Sequence, residues 1–455
     1  MISMINSRSE KIFAINSIIK TSLPIIASMA SALIMMMSDR IILARYSSET
    51  LAASGPAIFT AIAIIVFFTG TAGITRTYIA QKNGERDYPE LRRIALKCFT
   101  LGIFLGAILL ALQPLIKQIP YLNSLPRPIQ DLESQYLSLA PFYGFFMILN
   151  VVFSSIYIGR LNTKICMYVG MAGNVINIFL TIAFVYGVSF FPELGMNGSA
   201  VGTLISVFIV SVIYIYYLRK DNLLILRDIE IDSLRFLPIL RMGVNKGASA
   251  SMEDFGHVTF IWAVGMLGQS ALIANNIALA LNYLAIVPII GLSIGCSTII
   301  ANHVGNGEDS KVLPTIYLTF LIGISYILIV SFVEINYSRI LIYPFISSDL
   351  SIESRVLSSQ TVQVLWLYAL AFNLSMLMTS CLEAIKYTKP IFWCRVAIFW
   401  GLNVPAIVWL TSSNQGKQDL IITCWVIGSF FELSIGVFLS LLFVKRFFNS
   451  KKINK

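Results

Sequence analysis

The sequence predicts an all-α polytopic membrane protein with twelve transmembrane helices. These form two six-helix lobes related by a pseudo-twofold axis along the membrane normal. Three observations support this fold class: the composition, the recurrence of long apolar runs, and a weak internal repeat. Of the 455 residues, 57% are hydrophobic and 12% are charged, whereas ordinary globular domains have about 25% charged residues. A conventional soluble protein is therefore excluded.

Twelve apolar runs are long enough to cross a hydrocarbon core of roughly 30 Å, which takes about 20 helical residues. Lipid offers no partner to free backbone groups, so a spanning chain is helical or forms a closed barrel. These runs lack the alternating pattern of barrel strands. In chain order the predicted spans are 18–44, 51–80, 94–116, 134–158, 166–189, 197–218, 243–267, 271–302, 313–334, 357–382, 391–411 and 420–444.

The chain divides into two halves of six spans. Residues 219–241 carry nine charges and are predicted to be a cytoplasmic linker between an N-terminal lobe, 1–218, and a C-terminal lobe, 242–455. Sliding residues 51–84 by 221 positions gives ten identities in thirty-four ungapped positions, among them Gly84 with Gly305. Two parallel copies of one unit would leave a cleft in which a solute can bind near the midplane.

The net charge of +10 is explained by membrane topology. Placing both termini and the even-numbered connections on one side collects 24 of the 33 Lys and Arg residues there. Such an asymmetry predicts an inner-membrane protein with both termini in the cytoplasm. Because topology accounts for the basic excess, nucleic-acid binding is rejected.

Asp39 is the first ionisable residue predicted inside a span. It lies fifteen residues after Pro24, which is about 22 Å along a helix. A charged side chain at the centre of a spanning helix costs about 2.5–3.5 kcal/mol on insertion scales, so intramembrane acids indicate function. The alternative is an interfacial Asp39 paired with its neighbour Arg40.

Glu253, Asp254 and His257 stand together early in the seventh span. Glu253 and His257 are four residues apart and share a helix face, whereas Asp254 points about 100° away. A desolvated carboxylate can exchange a proton near neutral pH or bind a cation, and an imidazole beside it can relay the proton. The alternative is a structural cluster in which Lys246 is the permanent counter-ion of Glu253.

Uncharged polar and pliable apolar side chains add further candidates. Asn177 and Thr181 lie one turn apart in the fifth span and offer oxygens that can ligate Na⁺ or hydrogen-bond a carboxyl group, although polar residues also join helices. Aromatic and methionine side chains suit the wall of an unspecific cavity for flat or cationic ligands. The candidates for that wall include Met36, Phe67, Tyr143 and Tyr283.

The sequence contains no phosphate-binding loop, no metal-binding cluster and no nucleophilic triad. ATP-driven transport is therefore not supplied by this chain, and no cofactor is expected beyond a coupling ion. A membrane enzyme that acts on lipid would need a constellation of His, Asp or Cys at the membrane surface, and only isolated members are visible. The protein is predicted not to be an enzyme.

The chain resembles the multidrug and toxic compound extrusion (MATE) transporters over nearly all of its length, and their bacterial NorM-like branch in particular. Pro24 with "SDRIILA", the segment "NIFLTIAFVYGVSFFPELGMNGSAVGTLIS" and the stretch from "GASASMEDFGHVTF" to "ANHVGNGED" carry the resemblance. It implies a two-lobed antiporter of twelve helices that exports organic, often cationic, compounds against inward flow of Na⁺ or H⁺.

Carried over by position, the acid of the family's first span falls on Asp39 and that of its seventh span on Glu253. The asparagine of its fifth span falls on Asn177, and Thr181 follows one turn later, so Na⁺ could bind at Asp39 and Asn177. The acid expected in the tenth span aligns with Phe372, beside Asn373, which is a further candidate for the cavity wall. This departure puts an ion site in the second lobe in doubt.

The leading hypothesis is a monomeric, lipid-embedded antiporter with alternating access, which exchanges H⁺ or Na⁺ for a small organic substrate. Asp39 and Glu253 would bind the ion, and Asn177 would assist. A dedicated exporter of one metabolite, such as a siderophore or an antibiotic, or a flippase of a lipid-linked precursor, is the alternative.

Overall fold

The computed structural model describes residues 8–122, 127–223, 236–345 and 351–453, and within these ranges it contains helices and no strands. The first half consists of α1 (Arg8–Tyr46), α2 (Ser48–Ala72), α3 (Thr75–Gly84), α4 (Tyr88–Ala111), α5 (Gln113–Ile116), α6 (Arg127–Gly159), α7 (Thr163–Tyr186) and α8 (Met196–Lys220). The second half consists of α9 (Leu237–Gly265), α10 (Gln269–Gly305), α11 (Val312–Asn336), α12 (Ser338–Ile342), α13 (Ile352–Val362), α14 (Leu365–Ala384), α15 (Lys389–Arg395), a π-helix (Val396–Asn403), α16 (Val404–Ser413) and α17 (Leu420–Ile453).

Within the described ranges, eleven helical stretches are long and apolar enough to cross a membrane. The prediction of an all-helical, multi-pass membrane protein is thereby confirmed. The remaining predicted span, 243–267, falls in α9, which has 29 residues and is therefore long enough. It is less apolar than the others because Lys246, Glu253 and Asp254 lie within it.

Local sequence signals explain where several helices begin and end. The Ser47 hydroxyl accepts a hydrogen bond from the Thr50 amide at 3.0 Å and caps α2, and the Asp87 carboxylate accepts from the Glu90 amide at 3.1 Å at the start of α4. Such caps satisfy amides that have no partner within the helix. Gly187 ends α7 in the left-handed region, at φ 66°, where glycine has no steric penalty.

The chain forms two compact units. The Asp39 unit consists of Ala27–Ser251 and Ala301–Gly307, and the Glu253 unit consists of Met1–Ile26, Met252–Ile300 and Glu308–Lys455. These units differ from the lobes that the sequence predicts, 1–218 and 242–455, because α1, α9 and α10 are each divided. A helix of 37 residues such as α10 is about 55 Å long at 1.5 Å per residue, so its two ends can pack in different units.

The core of the Asp39 unit is built around α6, which packs on α2, α4 and α8. Phe153 and Tyr157 of α6 are fully buried, and both rings lie near Tyr214 of α8, with ring centroids 6.3 and 6.4 Å apart. Aromatic rings at such distances attract one another beyond the area that they bury. These contacts fix α6 and α8, the helices that flank α7.

The core of the Glu253 unit is formed by α10, α14 and α17 with the segment after α15. Tyr368 of α14 stacks on Phe372 with ring centroids 5.9 Å apart and meets Trp425 of α17 edge-on at 5.7 Å. The Trp425 indole donates to Asn275 Oδ1 of α10 at 3.2 Å. The buried polar tip of the tryptophan is thereby satisfied, as a buried indole requires.

Helix α3 and the last turn of α10 cross within the Asp39 unit at two glycines that the internal repeat pairs. A side chain on Gly84 would collide with the backbone carbonyl of Asn302, and one on Gly305 would collide with that of Gln81. Asn83 Nδ2 donates to Asn302 Oδ1 at 2.7 Å, and Asn302 Nδ2 donates to the Gly159 carbonyl at 3.0 Å. Gln81 and Asn302 are 221 positions apart, so the crossing repeats the register found in the sequence.

Candidate ion-coupling sites

Asp39 of α1 is buried within the Asp39 unit, with 8% of its surface exposed. Its Oδ1 atom has no hydrogen-bond partner, and no salt bridge is formed by Asp39 among the described residues. The neighbouring Arg40 is exposed and lies over the Phe59 ring, 5.2 Å from its centroid. The alternative of an interfacial Asp39 paired with Arg40 is therefore not what the structure contains.

Asn177 and Thr181 of α7 are both buried, as their shared helix face predicts. The Thr181 side chain faces the Asp39 carboxylate. Asn177 Nδ2 donates to Thr203 Oγ1 at 3.1 Å and to Ser206 Oγ at 3.2 Å, both on α8. These bonds turn the amide nitrogen toward α8 and leave Asn177 Oδ1 and Thr181 Oγ1 without hydrogen-bond partners.

Two tyrosines of α6 complete this environment. Tyr136 is 5% exposed and lies within the electrostatic influence of the Asp39 charge. Its ring centroid lies 6.4 Å from that of Tyr143. Tyr136 was missed by the sequence analysis, because a buried tyrosine in an apolar helix gives no distinctive signal. We refer to Asp39, Tyr136, Asn177 and Thr181 together as the Asp39 cluster.

The Asp39 cluster contains one acid and no positively charged side chain. It brings together three buried oxygens that lack hydrogen-bond partners: Asp39 Oδ1, Asn177 Oδ1 and Thr181 Oγ1. Buried polar atoms in native proteins are almost always partnered, so such a concentration needs an explanation. Carboxylate, amide and hydroxyl oxygens can hold a proton or a hard cation.

Glu253 of α9 forms an ion pair that the sequence analysis missed. Its Oε2 atom lies 2.8 Å from Nη1 of Arg395, the last residue of α15. The Glu253 side chain is 22% exposed and that of Arg395 is 5% exposed. The positive charge beside Glu253 is therefore Arg395 of α15, where the sequence suggested Lys246 of its own helix.

A second carboxylate interacts with the same guanidinium group. Glu432 of α17 is 2% exposed and acts electrostatically on Arg395 and, with the opposite sign, on Glu253. Ser375 of α14 lies beside the Glu432 carboxylate. We refer to Glu253, Arg395 and Glu432 as the charge triad. Its members are far apart in the sequence, since Arg395 lies 142 residues after Glu253 and 37 residues before Glu432, so the sequence analysis had no local signal from which to find it.

The other two predicted residues of α9 lie at the edge of the charge triad. His257 interacts with both Glu253 and Arg395, as its position one turn after Glu253 predicts, and its Nδ1 atom has no hydrogen-bond partner. Asp254 is partly buried and interacts with Glu253 by like-charge repulsion. Within the described parts of the chain, no group of three or more His, Cys, Asp or Glu could hold a metal ion.

The tenth predicted span contains no acid at the position where the resemblance implies one. Phe372 is buried in the stack with Tyr368. Asn373 is 2% exposed and packs against Gly323 of α11. The second acid that interacts with Arg395 therefore comes from α17.

The residues predicted to line a substrate cavity fall into two groups. Met36 and Tyr283 are 38% and 40% exposed, and Phe67 is partly buried beside Phe68 at 5.3 Å. Tyr143 and Asn373 are buried, so they present almost no surface in this conformation. Their contact with a substrate stays a prediction.

Comparison with known proteins supports the fold and the repeat. The MatE family model matches residues 24–183 and 249–409, one segment in each half of the chain. A probable multidrug resistance protein NorM of Thermotoga maritima is 26% identical over 85% of this chain and 84% of its own length. The probable multidrug resistance protein YoeA of Bacillus subtilis is 24% identical over 80% of this chain and 79% of its own length.

Solved structures agree with this assignment. A transporter of the MOP superfamily from Pyrococcus furiosus has a TM-score of 0.85 at 19% identity, and the match covers 95% of this chain and 96% of that one. A multidrug resistance MATE transporter in an outward-facing conformation has a TM-score of 0.86 over the same fractions, again at 19% identity. The predicted fold class is confirmed, and since the matched segments span more than half of the sequence, the chain belongs to the MatE family of membrane transporters.

Proposed function

We propose that this protein is a secondary active antiporter that exports organic compounds in exchange for H⁺ or Na⁺, with Asp39 as the residue that binds the coupling ion. The observation that carries the proposal is the set of three buried, unpartnered oxygens in the Asp39 cluster. The names of the relatives in Thermotoga maritima and Bacillus subtilis support drugs or other xenobiotics as substrates. Basic residues concentrated on one side support an inner-membrane location with both termini in the cytoplasm.

The electrostatics of Asp39 provide the means of coupling. An ionised carboxylate in a buried site without a cation is unfavourable, so a conformation that buries Asp39 favours a bound proton or Na⁺. A conformation that hydrates Asp39 favours release. An ion that binds the two conformations with different affinity shifts the equilibrium between them by that difference, as alternating access requires.

Thr181 and Asn177 would assist in different ways. The Thr181 hydroxyl faces the carboxylate, so it can donate to an ionised Asp39 or accept from a protonated one. Asn177 is held by Thr203 and Ser206 with its oxygen free, so it can supply a second ligand without reorganising. A fixed ligand lowers the cost of binding the ion.

The proposal is tested by reconstituting the full chain in liposomes and following transport of a fluorescent organic cation under an imposed proton or Na⁺ gradient. We expect transport driven by one of these gradients, and we expect Asp39→Asn to reduce it to the level of empty liposomes while insertion is unchanged. The gradient that drives transport identifies the ion.

Asp131→Asn is the matched control. Asp131 is an exposed acid of α6 whose carboxylate accepts a hydrogen bond from Tyr121 at 2.9 Å, and the same substitution there should leave transport unchanged. Transport by Asp39→Asn at the rate of the unmodified chain would contradict the proposed role of Asp39. Transport that persists without either gradient would contradict antiport.

A further inference from the structure

An apolar cavity of about 200 Å³ lies within the Glu253 unit, between the first part of α1 and the middle parts of α10 and α11. Its walls are formed mainly by aliphatic side chains, among them Ile19, Leu23, Pro288, Leu292 and Ile322. All three helices are long and apolar enough to cross a membrane. The cavity is therefore enclosed by helices that span the bilayer.

Helix α10 contacts both of the other helices that enclose the cavity. A side chain on Gly295 would collide with the Ser22 hydroxyl group, so α1 lies close to the backbone of α10, as small residues allow between spanning helices. Helix α11 is attached to α10 by Tyr326, whose hydroxyl group donates to the Ala285 carbonyl at 3.1 Å. The cavity is thus the space that remains between three helices whose packing is fixed on either side.

Two residues of the wall have polar side chains, and neither presents a free polar atom to the cavity. Ser22 Oγ is buried against Gly295, and the Tyr326 hydroxyl group is bonded to the carbonyl of α10. Of the described residues that line the cavity, none is charged. Water is unfavourable in such a space because an ordered water needs several polar partners, and an organic cation is unfavourable because a buried charge needs a partner.

The cavity is closed at one end by side chains that precede its walls in the sequence. Ile18 and Leu318 lie one turn before Ser22 and Ile322, and both are buried in one hydrophobic cluster. Leu23 in the wall, by contrast, is 60% exposed. An exposed apolar side chain on a spanning helix is surrounded by lipid tails, which are as apolar as leucine. The cavity is therefore accessible from the side, through the face that contacts lipid.

The position and size of the cavity match part of a lipid tail. Counted from the start of the predicted spans, Ser22 lies about 6 Å and Tyr326 about 20 Å along its helix, a difference close to half of the hydrocarbon core of roughly 30 Å. A dry cavity of about 150 Å³ lined by apolar side chains can hold benzene. The larger cavity of this protein can therefore take several methylene groups.

We propose that this cavity binds one acyl chain of a phospholipid from the surrounding bilayer. The chain would replace an empty apolar space by contacts with α1, α10 and α11, and such contacts stabilise a packed interior. It would thereby hold the first part of α1 against α10 and α11. The proposal concerns a lipid site and does not depend on which ion is coupled to transport.

The test maps where a lipid tail contacts the full chain. The protein is reconstituted in liposomes whose phospholipid has a photoreactive diazirine group in one acyl chain, and the cross-linked residues are identified by mass spectrometry after illumination. We expect cross-links to Leu292, which lines the cavity and is 7% exposed. We expect none to Ile299, which is equally buried on the same helix but does not line the cavity.

Two substitutions should remove the cross-link to Leu292. Ile322→Trp fills the cavity with a larger side chain, and Leu23→Trp covers its opening from an exposed position that tolerates a large residue. If the first variant does not fold, the second asks the same question. Ile329→Trp is the matched control, because Ile329 is exposed on α11 outside the cavity, and it should leave the cross-link unchanged.

The proposal is overturned if Leu292 is labelled no more than Ile299, or if labelling of Leu292 persists unchanged in both Ile322→Trp and Leu23→Trp. Loss of the cross-link on addition of a transported organic cation would also overturn it, because the cavity would then bind the substrate in place of a lipid tail.

Discussion

The Asp39 cluster and the charge triad solve the same physical problem in opposite ways. In the Asp39 unit a single acid is surrounded by hydroxyl, phenol and amide groups, with no positive side chain among them. In the Glu253 unit one acid forms an ion pair with a buried arginine, and a second acid interacts electrostatically with the same arginine. The first site contains no fixed positive charge that neutralises its acid, whereas the second neutralises part of its negative charge with a residue that cannot leave.

This difference teaches that the number of buried acids is a poor measure of the number of ions that a site can exchange. The Glu253 unit has more buried carboxylates, but Arg395 offsets one of them permanently, since a guanidinium group does not lose its proton in proteins. The comparison also separates two kinds of cost. An ionised Asp39 leaves one buried negative charge without a fixed counter-charge, while losing Arg395 would leave two.

The largest expected effect is a loss of stability when Arg395, the fixed positive charge of the triad, is removed. Arg395→Met leaves Glu253 and Glu432 without their partner, and breaking a buried ion pair by deleting one member typically costs about 3–5 kcal/mol. We therefore expect a large fall in thermal unfolding temperature. Asp39→Asn should not destabilise the protein, because the Asp39 carboxylate has no ion pair to lose.

Arg93→Met is the control for this experiment, because the Arg93 side chain is 72% exposed and its contact with Glu90 is long, at 3.6 Å. An exposed pair of this kind contributes about 0–1 kcal/mol. Equal unfolding temperatures for Arg395→Met and Arg93→Met would mean that the interactions of Arg395 with its acids do not stabilise the fold.

A smaller effect is expected from Thr181→Val, which keeps the shape of the side chain but removes its hydroxyl group. If the hydroxyl ligates the ion or the ionised carboxylate, the ion concentration for half-maximal transport should rise roughly tenfold, as for the loss of one hydrogen bond to a charged group. Dose–response measurements of transport in liposomes would detect this shift.

Thr319→Val is the matched substitution in the other unit. The Thr319 hydroxyl is buried and donates to the Thr315 carbonyl of its own helix at 2.7 Å. Removing it should leave the half-maximal ion concentration unchanged. A similar shift in both variants would indicate a general effect of losing buried hydroxyl groups, and Thr181 would then have no special role.

The smallest effect is expected from Arg40→Gln. Arg40 lies over the Phe59 ring, a contact worth about 0.5–1 kcal/mol at an exposed site, and it does not neutralise Asp39. Transport and its dependence on ion concentration should therefore remain as in the unmodified chain. A marked change in the ion dependence would restore the interpretation of Asp39 and Arg40 as an interfacial pair.

Much of the fold follows from the sequence because apolar length and charge distribution are local properties. All twelve predicted spans correspond to helical segments, and the boundaries differ mainly where the chain is broken, as in 51–80, which contains both α2 and α3. The division into units could not be read from the sequence. It depends on where the ends of long helices such as α1 and α10 pack, which is a tertiary property.

The Asp39 cluster was largely predictable, whereas the charge triad was not. Asp39, Asn177 and Thr181 stand out as polar residues in apolar runs, and helical spacing places the last two on one face. Arg395 lies near the start of a predicted span, where a basic residue is ordinary at a cytoplasmic end. Only the packing of α15 against α9 and α17 makes it the partner of two acids.

The crossing of α3 with the end of α10 has a consequence for how the sequence can vary. A methyl group at either Gly84 or Gly305 would strike the backbone of the opposite helix, and a backbone cannot be replaced by a smaller residue. Neither collision can therefore be relieved by a compensating substitution at Asn302 or Gln81. At this crossing, the two positions that the internal repeat pairs must therefore both remain glycine.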